Sequence, residues 1–527
     1  MKVLITDGNE RAALAVTRAL GGEQVEVIVG AESQRSLAGS SRYCRQSIAY
    51  PSPYQEPERF IATLMEAVRT HRVDALIPLS DIAMHVLGPE KAQFEKYTHF
   101  PAPSPQAFQE ISDKYRLMQQ AITEGVAIPD TIFLPDGRVE RVVQEIVDFP
   151  VVVKPGCSLV KDGNRWTKTS VCYAESLEEL LTLYRDKPYL RQPSLIQRRV
   201  IGEGQGLFVL MQEGTPLGMF AHRRVRERPP SGGVSVLRES IALPKSMVEA
   251  TLKLLQRVKW HGVAMVEFKV DAATQRPLLM EINGRFWGSL QLAVDAGVNF
   301  PLHLLNMAMG ACETIPENRY RVGVKSRWLL GDLDQLVMRI RKSDRALNLP
   351  PGAPSRLQAV LSFCRFFERN TFYEVERIDD LGPSRFEVMR YVKLASGVVM
   401  SQVDSASLRG VARSMKRAVN EALDHWRYRS LVNRQAFPSS VRAILVVCKG
   451  NICRSPLAEA YLKHRVEKHG LPIVVESAGL ETSFGKAAHP LAQVVGTQGG
   501  LLLTKHATQP LHKEQVDRAD MILVMEW

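Results

Sequence analysis

Cysteine is scarce, at seven in 527 residues, too few and too scattered for the disulfide framework of small secreted domains. That fits a reducing cytoplasm. No apolar run approaches the ~20 residues that span a bilayer. The opening Met1-Lys2-Val3-Leu4-Ile5-Thr6-Asp7 runs into a polar turn and lacks the form of a signal peptide. The expectation is a soluble, cytoplasmic protein with no membrane insertion. Internal repeats and low-complexity tracts are missing too, which excludes repeat architectures. One-sided charge is modest: 68 basic against 56 acidic residues give +12, scattered along the chain. Such a balance suits anionic substrates such as nucleotides and is too weak to argue nucleic acid. The denser basic stretch from Arg409 to Arg442 is more often a solvated helix face than a binding patch.

What is present is a chain of ordinary globular composition, 45% hydrophobic and 24% charged, long enough for three or four domains. Residues 1–110 alternate strand and helix: strands at 3–6, 24–29 and 75–78, helices at 10–20 and 57–70. In the second helix Phe60, Leu64, Ala67 and Val68 share one face. This is a parallel α/β unit, although Asp7-Gly8-Asn9 lacks a dinucleotide fingerprint. The Pro-rich stretch 101–105 marks a boundary, and a helix over 112–124 opens a second unit over residues 111–310. Residues 311–440 read as mainly helical, with a short strand at 386–392. Leu357, Val360, Leu361, Cys364 and Phe367, then Leu408, Val411, Met415, Ala418, Ala422 and Trp426, fall at helical spacing as expected core faces. A linker at 437–440 leads into a last unit, residues 441–527.

Residues 262–285 read as strand, polar turn, strand. A hairpin centred near Thr274 sets Glu267 opposite Glu281, while Glu281 and Asn283 share a face. Like charges directly opposed destabilise a sheet. The pair makes sense around a divalent cation, with the Asn283 oxygen as a further ligand. A solvated surface hairpin would not need Asn283-Gly284-Arg285 on that face. The same repulsion predicts that replacing Glu281 leaves folding stability unchanged or higher. Upstream, a β-branched run delivers Lys154 just before a loop holding Gly156, Ser158, Gly163 and Thr169. Such a Lys contacts phosphates as a point charge while the loop closes over them; alone, a strand-end Lys is usually just exposed. A third feature is the apolar stretch 195–201, running into Gly202-Glu203-Gly204.

In this order the three features resemble the ATP-grasp ligases, and residues 1–310 are similar to that family throughout. The resemblance implies a pre-ATP-grasp α/β domain and two α+β lobes enclosing ATP. It implies that Lys114 and Lys154 touch the phosphates and that the Gln197-Arg198-Arg199-Val200 segment meets adenine through the Arg198 and Val200 backbone. Glu203 would meet the ribose. Glu267, Glu281 and Asn283 would hold two Mg²⁺, and Arg285 would stabilise the transferring phosphoryl group or the acyl phosphate. Within the family the chain looks most like the carboxylate–amine ligases, which activate an acid as acyl phosphate for attack by an amine. The segment 223–233, rich in Arg and ending in Gly232-Gly233, is either a loop that closes over the acid or an exposed charged loop.

Near the C-terminal end the apolar run 443–447 ends in Cys448, followed by Lys449-Gly450-Asn451-Ile452-Cys453-Arg454-Ser455-Pro456 and a helix. Loop N–H groups and a helix N-terminus converge on an anion. The same field favours a thiolate at Cys448, and Arg454 offers a bidentate fork to phosphoryl oxygens. A buried Cys at a strand end would explain one residue of this motif and not the rest. With the segments 476–479, 489–490, 505–507 and 519–526, it resembles the low-molecular-weight protein tyrosine phosphatases. By resemblance Cys448 is the nucleophile, Arg454 binds phosphate, and Gly450, Ile452 and Cys453 belong to the phosphate loop. Asn451 would shape that loop, Ser455 ease departure of the thiolate, and Cys453 form a protective disulfide with Cys448. The substrate would be a phosphotyrosine protein. No residue here matches the family's general-acid Asp; Asp520 stands at the wrong end of its strand and Glu526 at the right one. An incomplete domain with slow turnover of peptide phosphoesters is therefore expected.

The overall expectation is an α/β multidomain chain: ATP-grasp, helical extension and partial parallel α/β phosphatase domain. Its function would be an ATP- and Mg²⁺-dependent ligase joining a small carboxylic acid to an amine. A phosphatase with a nucleotide-sensing ATP-grasp module is the alternative, and a silent scaffold the third reading.

Overall fold

The computed structural model describes residues 1–525 except 146–147, 312–313, 316–319, 345, 350–351, 367 and 401–439, with backbone alone at 145 and 394–400. The chain divides into two compact units, residues 1–394 and 395–527. Among the described residues no helix is long and apolar enough to cross a membrane.

The first unit opens with a parallel sheet in the order Cys44–Ala49, Glu26–Ala31, Lys2–Ile5, Ala75–Ile77. Its inner strands are continuous apolar runs, as a sheet covered on both faces requires. The helix Pro57–His71 starts on its proline and buries Phe60, Leu64, Ala67 and Val68, the face read from their spacing.

Next comes an antiparallel sheet ordered Thr131–Leu134, Ser194–Arg198, Val151–Pro155, Cys172–Ala174. Beside it lies the hairpin of Leu159–Asp162 with Arg165–Lys168. A seven-stranded sheet forms the rest: Pro277–Asn283, Gly262–Asp271, Gly202–Gln212, Thr215–Arg228, Val234–Ile241, Lys325–Arg327 and Thr371–Tyr373. The apolar strand faces of this sheet pack against the first sheet's helices in one core.

Two of the seven strands come from the segment expected to be mainly helical. Lys325–Arg327 pairs antiparallel with Val234–Ile241 and Thr371–Tyr373 adds in parallel, so residues up to 394 fold with the preceding region. Buried ion pairs reinforce this join. Arg11 and Arg238 both reach Glu374 at 2.5 Å, Arg18 reaches Asp380 at 2.8 Å, and Arg226 and Arg327 share Asp332 at 2.6 and 2.7 Å.

Two expectations are corrected. Residues 386–392 form no strand; they lie inside the helix Leu381–Met400. A seven-residue apolar run is compatible with either period, and the helix wins by extending far beyond strand length. The helix Arg356–Phe363 exists but buries none of its residues, leaving Leu357 and Leu361 more than half exposed. The other proposed core face, at 405–426, lies outside the described residues.

The second unit carries a three-stranded parallel sheet, Val474–Gly479, Ala443–Cys448, Met521–Val524. The helix Arg454–Lys468 follows the central strand. Asp520 accepts the N–H groups of Arg442 and Ala443 at 2.8 and 3.0 Å, pinning the start of the third strand. Glu526 lies outside the described residues.

Candidate functional site

A cavity of about 610 Å³ in the first unit is walled by the strands carrying Lys154, Gln197, Arg224, Glu267 and Glu281, and closed on another side by Glu10, Arg11, Ser80 and Asp81. Glu267 stands directly across from Glu281 in the hairpin register. Asn283 Nδ2 lies 3.3 Å from Glu281 Oε1 and 3.5 Å from Glu267 Oε1. Two opposed carboxylates and an amide oxygen suit a hard divalent cation completed by phosphate oxygens. The described residues hold no group of three or more His, Cys, Asp or Glu that could bind a metal.

Each carboxylate has a protein cation beside it. Lys114 Nζ sits 3.2 Å from Glu281 Oε2 and donates to Ser158 Oγ at 2.8 Å. Arg224 Nη2 sits 2.5 Å from Glu267 Oε2. These contacts set the protonation states. The Lys114 ammonium holds Glu281 well below the usual carboxylate range, against the opposing effect of burial. Burial pushes Glu267 up, with Arg224 resisting and Glu281 reinforcing. Burial alone would lower Lys114, but Glu281 and Asp81 outweigh it and raise the ammonium. Lys154 behaves oppositely: burial brings it down to about 8 despite Glu281, and its Nζ lies 3.5 Å from the Met280 carbonyl oxygen.

Arg285 is held at both ends of its fork. Its Nε and Nη2 donate to the Asp81 carboxylate at 3.1 and 2.9 Å, and Nη1 donates to the Phe286 carbonyl at 2.9 Å. Asp81 is the first residue of the helix Asp81–Leu87, just beyond the strand Ala75–Ile77, at the end where parallel α/β sites form.

The remaining expected residues divide. Gln197 is buried, donates Nε2 to Thr131 Oγ1 at 2.9 Å, and leaves Oε1 without a partner. Arg198 and Val200 line the cavity, with the Arg198 N–H already given to the Asp130 carbonyl at 3.0 Å. Glu203 is not among the lining residues; it accepts from Gln205 at 2.9 Å and faces Arg223 at 3.5 Å.

The segment 223–233 proves to be neither a lid nor a free loop over most of its length. Residues 223–228 are strand, and their arginines are paired: Arg223 with Glu239, Arg224 with Glu227 and Glu267, Arg226 with Asp332, Arg228 with Asp334. The turn itself is confined to 229–233, of which Ser231, Gly232 and Gly233 line the cavity. Arg224 and Asp81 are the site residues that motif reading missed. Asp81 was accessible from its place after a parallel strand; Arg224 had no signal beyond belonging to an Arg-rich run.

In the second unit the loop after Cys448 is built on Asn451, which is fully buried and adopts φ of +49°. Its N–H donates to Cys448 Sγ at 3.2 Å, and Nδ2 donates to Ser455 Oγ at 2.9 Å and Ser477 Oγ at 2.8 Å. Its Oδ1 accepts the Gln509 N–H, and its carbonyl meets His506 Nε2, both at 2.8 Å. Segments 476–479 and 505–507 thus meet at one residue. Ser455 Oγ lies 2.9 Å from Cys448 Sγ. Arg454 opens the helix, with Nη1 donating to the Met525 carbonyl at 3.2 Å. Gly450 and Ile452 lie in the loop between them. Cys453 is a free thiol packed near Ala488, Ala492 and Leu503, and Cys448 is free as well.

Residues 443–527 match the family described as low molecular weight phosphotyrosine protein phosphatase, and residues 210–329 match the one described as ATP-grasp in the biosynthetic pathway with Ter operon. A probable low molecular weight protein-tyrosine-phosphatase, EpsP of Ralstonia solanacearum, is 44% identical over 85 residues, 16% of this chain and 56% of that protein. The chain spans about half the length of the curated relatives it matches. Among solved structures it is similar to a biotin carboxylase–β-γ-ATP complex from Campylobacter jejuni (17% identity, 62% of this chain, 74% of that one, TM-score 0.49). It is also similar to an L-amino acid ligase from Bacillus licheniformis (14% identity, 62% and 78%, TM-score 0.48).

Proposed function

We propose that this chain, an ATP-grasp segment joined to a low-molecular-weight phosphatase segment, is an ADP-forming ligase that activates a small carboxylic acid as an acyl phosphate for attack by an amine. The observation that supports it is the convergence in one cavity of opposed Glu267 and Glu281 with Asn283, Lys154 and a tethered Arg285. Glu267, Glu281 and Asn283 would hold Mg²⁺, two ions in this reading, which when bound supplies charge neutralisation on the phosphate oxygens.

The chain's own residues do the rest. Lys114 and Lys154 neutralise phosphate oxygens as point charges, and the hairpin after Gly156 covers them. Gln197 Oε1, a buried acceptor, faces the base, with Arg198 and Val200 alongside. Asp81 fixes the Arg285 guanidinium where the acyl phosphate's charge develops, and positioning of this kind dominates phosphoryl transfer.

In the second unit Cys448 would attack the phosphorus of a phosphotyrosine-type ester. The Asn451 N–H would orient its sulfur, Ser455 Oγ would ease its departure, and Arg454 would bind the phosphoryl oxygens.

The test is product analysis: with ATP, Mg²⁺ and a panel of acids and amines, the right pair should release ADP and phosphate, and Glu281→Ala should not. Release of AMP and pyrophosphate counts against the ligase.

A further inference from the structure

Residues 330–394 belong to neither matched family, yet they hold a residue of the cavity wall, Arg11. Arg11 begins the helix Arg11–Gly22, just beyond the strand Lys2–Ile5, and lines the cavity next to Glu10. Its guanidinium is held from the far side. Nη1 donates to Glu374 at 2.5 Å, and the carbon centre lies 4.0 Å from the ring centroid of Trp328. Trp328 is itself fixed by donating Nε1 to Glu387 at 2.9 Å. The remaining terminal nitrogen, Nη2, has no hydrogen-bond partner among the described residues. It faces Gly288, where a Cβ would come within 3.1 Å, and Gly288 and Ser289 are cavity wall. A side chain at position 288 would crowd Nη2.

Charge points the same way. Glu374 serves two guanidinia, because the fully buried Arg238 also reaches it at 2.5 Å. Asp295 is matched by Arg377. Burial pushes Glu376 up to about 7, so it brings no full compensating charge, and burial also raises Glu387. Elsewhere in the cavity Arg285 and Arg224 each have a carboxylate of their own. Arg11 is therefore a tethered cation on the cavity wall.

We propose that Arg11 Nη2 binds a carboxylate of the amine co-substrate, with neighbouring Glu10 facing its amino group, so that the acceptor is an amino-acid-type compound rather than a plain amine. Adjacent opposite charges match the two charges of one small zwitterion. The role of the segment 325–387 is then to hold that anchor through Glu374 and Trp328. This inference rests on the ligase reading.

The test uses the full chain with ATP, Mg²⁺ and an acid panel, comparing three nucleophiles: hydroxylamine, short alkylamines, and the common amino acids at equal free-amine concentration. Amino acids should be preferred over alkylamines. Arg11→Gln should cut the amino-acid to hydroxylamine selectivity ratio about ten- to a hundredfold, the range of one charge-assisted hydrogen bond, through KM rather than kcat. Arg11→Lys should restore part of it. Alkylamines used as well as amino acids, or a ratio unchanged in Arg11→Gln, overturns the proposal. Absence of hydroxamate with every acid overturns the ligase reading instead. Calorimetry with amino acids and MgADP then decides the subsite: binding lost in Arg11→Gln supports it, and equal binding in both proteins overturns it.

Discussion

Replacing Glu281 should destabilise the protein even without nucleotide, the reverse of what the opposed carboxylates suggest by themselves. Repulsion from Glu267 is real, but Lys114 at 3.2 Å and the nearby Lys154 outweigh it. The Glu281 carboxyl is held at about 2 rather than 4.5, a difference worth about 3 kcal/mol. The Glu281 side chain is 30% exposed, so solvent screening reduces this to about 2 kcal/mol. Glu281→Gln, which keeps the shape and removes the charge, isolates this contribution. It leaves Lys114, a buried ammonium, with Ser158 as its hydrogen-bond partner among the described residues. The assay is a melt of wild type and variant in nucleotide-free, metal-free buffer. A drop of a few degrees is expected at neutral pH. Because the folded-state value is depressed, the wild-type advantage should be full above about pH 4.5 and fade as pH falls toward 2. Equal melting at pH 7, or a more stable variant, would refute the reasoning and restore repulsion as the dominant effect.

Lys154→Met should weaken ATP binding in calorimetry. In wild type, affinity should decline as pH rises through about 8, where the buried ammonium loses its proton; a pH-independent affinity would remove Lys154 from the phosphate site. Asn451→Ala should cost the second unit roughly 3 kcal/mol, about 1 for each of the bonds to Ser455, Ser477 and the Gln509 N–H, read as a lowered denaturant midpoint. An unchanged midpoint would show that the loop does not depend on that residue. Cys448→Ser should abolish hydrolysis of p-nitrophenyl phosphate by the full chain, and retained activity would exclude Cys448 as nucleophile.

The parts of both sites legible in the sequence were those set by local periodicity. The strand alternation around 274 put Glu267 across from Glu281, and the spacing from Cys448 to Ser455 brought thiol and hydroxyl within 2.9 Å. What escaped was set by contacts distant along the chain. Lys114 reaches Glu281 from the helix Lys114–Thr123, Asp81 reaches Arg285 across 204 positions, and Arg224 reaches Glu267 across the intervening strand Gly202–Gln212, a contact no local pattern announces. The Arg-rich run at 223–228 reads as a loop, closing over the acid or simply exposed, when each charge is taken alone; in the sheet each of its arginines meets a carboxylate. The strands at 325–327 and 371–373 are three residues each, too short to show a period of two, and they exist because a sheet edge was there to receive them.

The most direct test of the central claim is to identify the products when the full chain meets ATP, Mg²⁺, hydroxylamine and the acid panel. The account predicts ADP and phosphate in step with a hydroxamate, for a restricted set of acids, and neither in Glu281→Ala. AMP with pyrophosphate, or ATP breakdown indifferent to every acid, would contradict it.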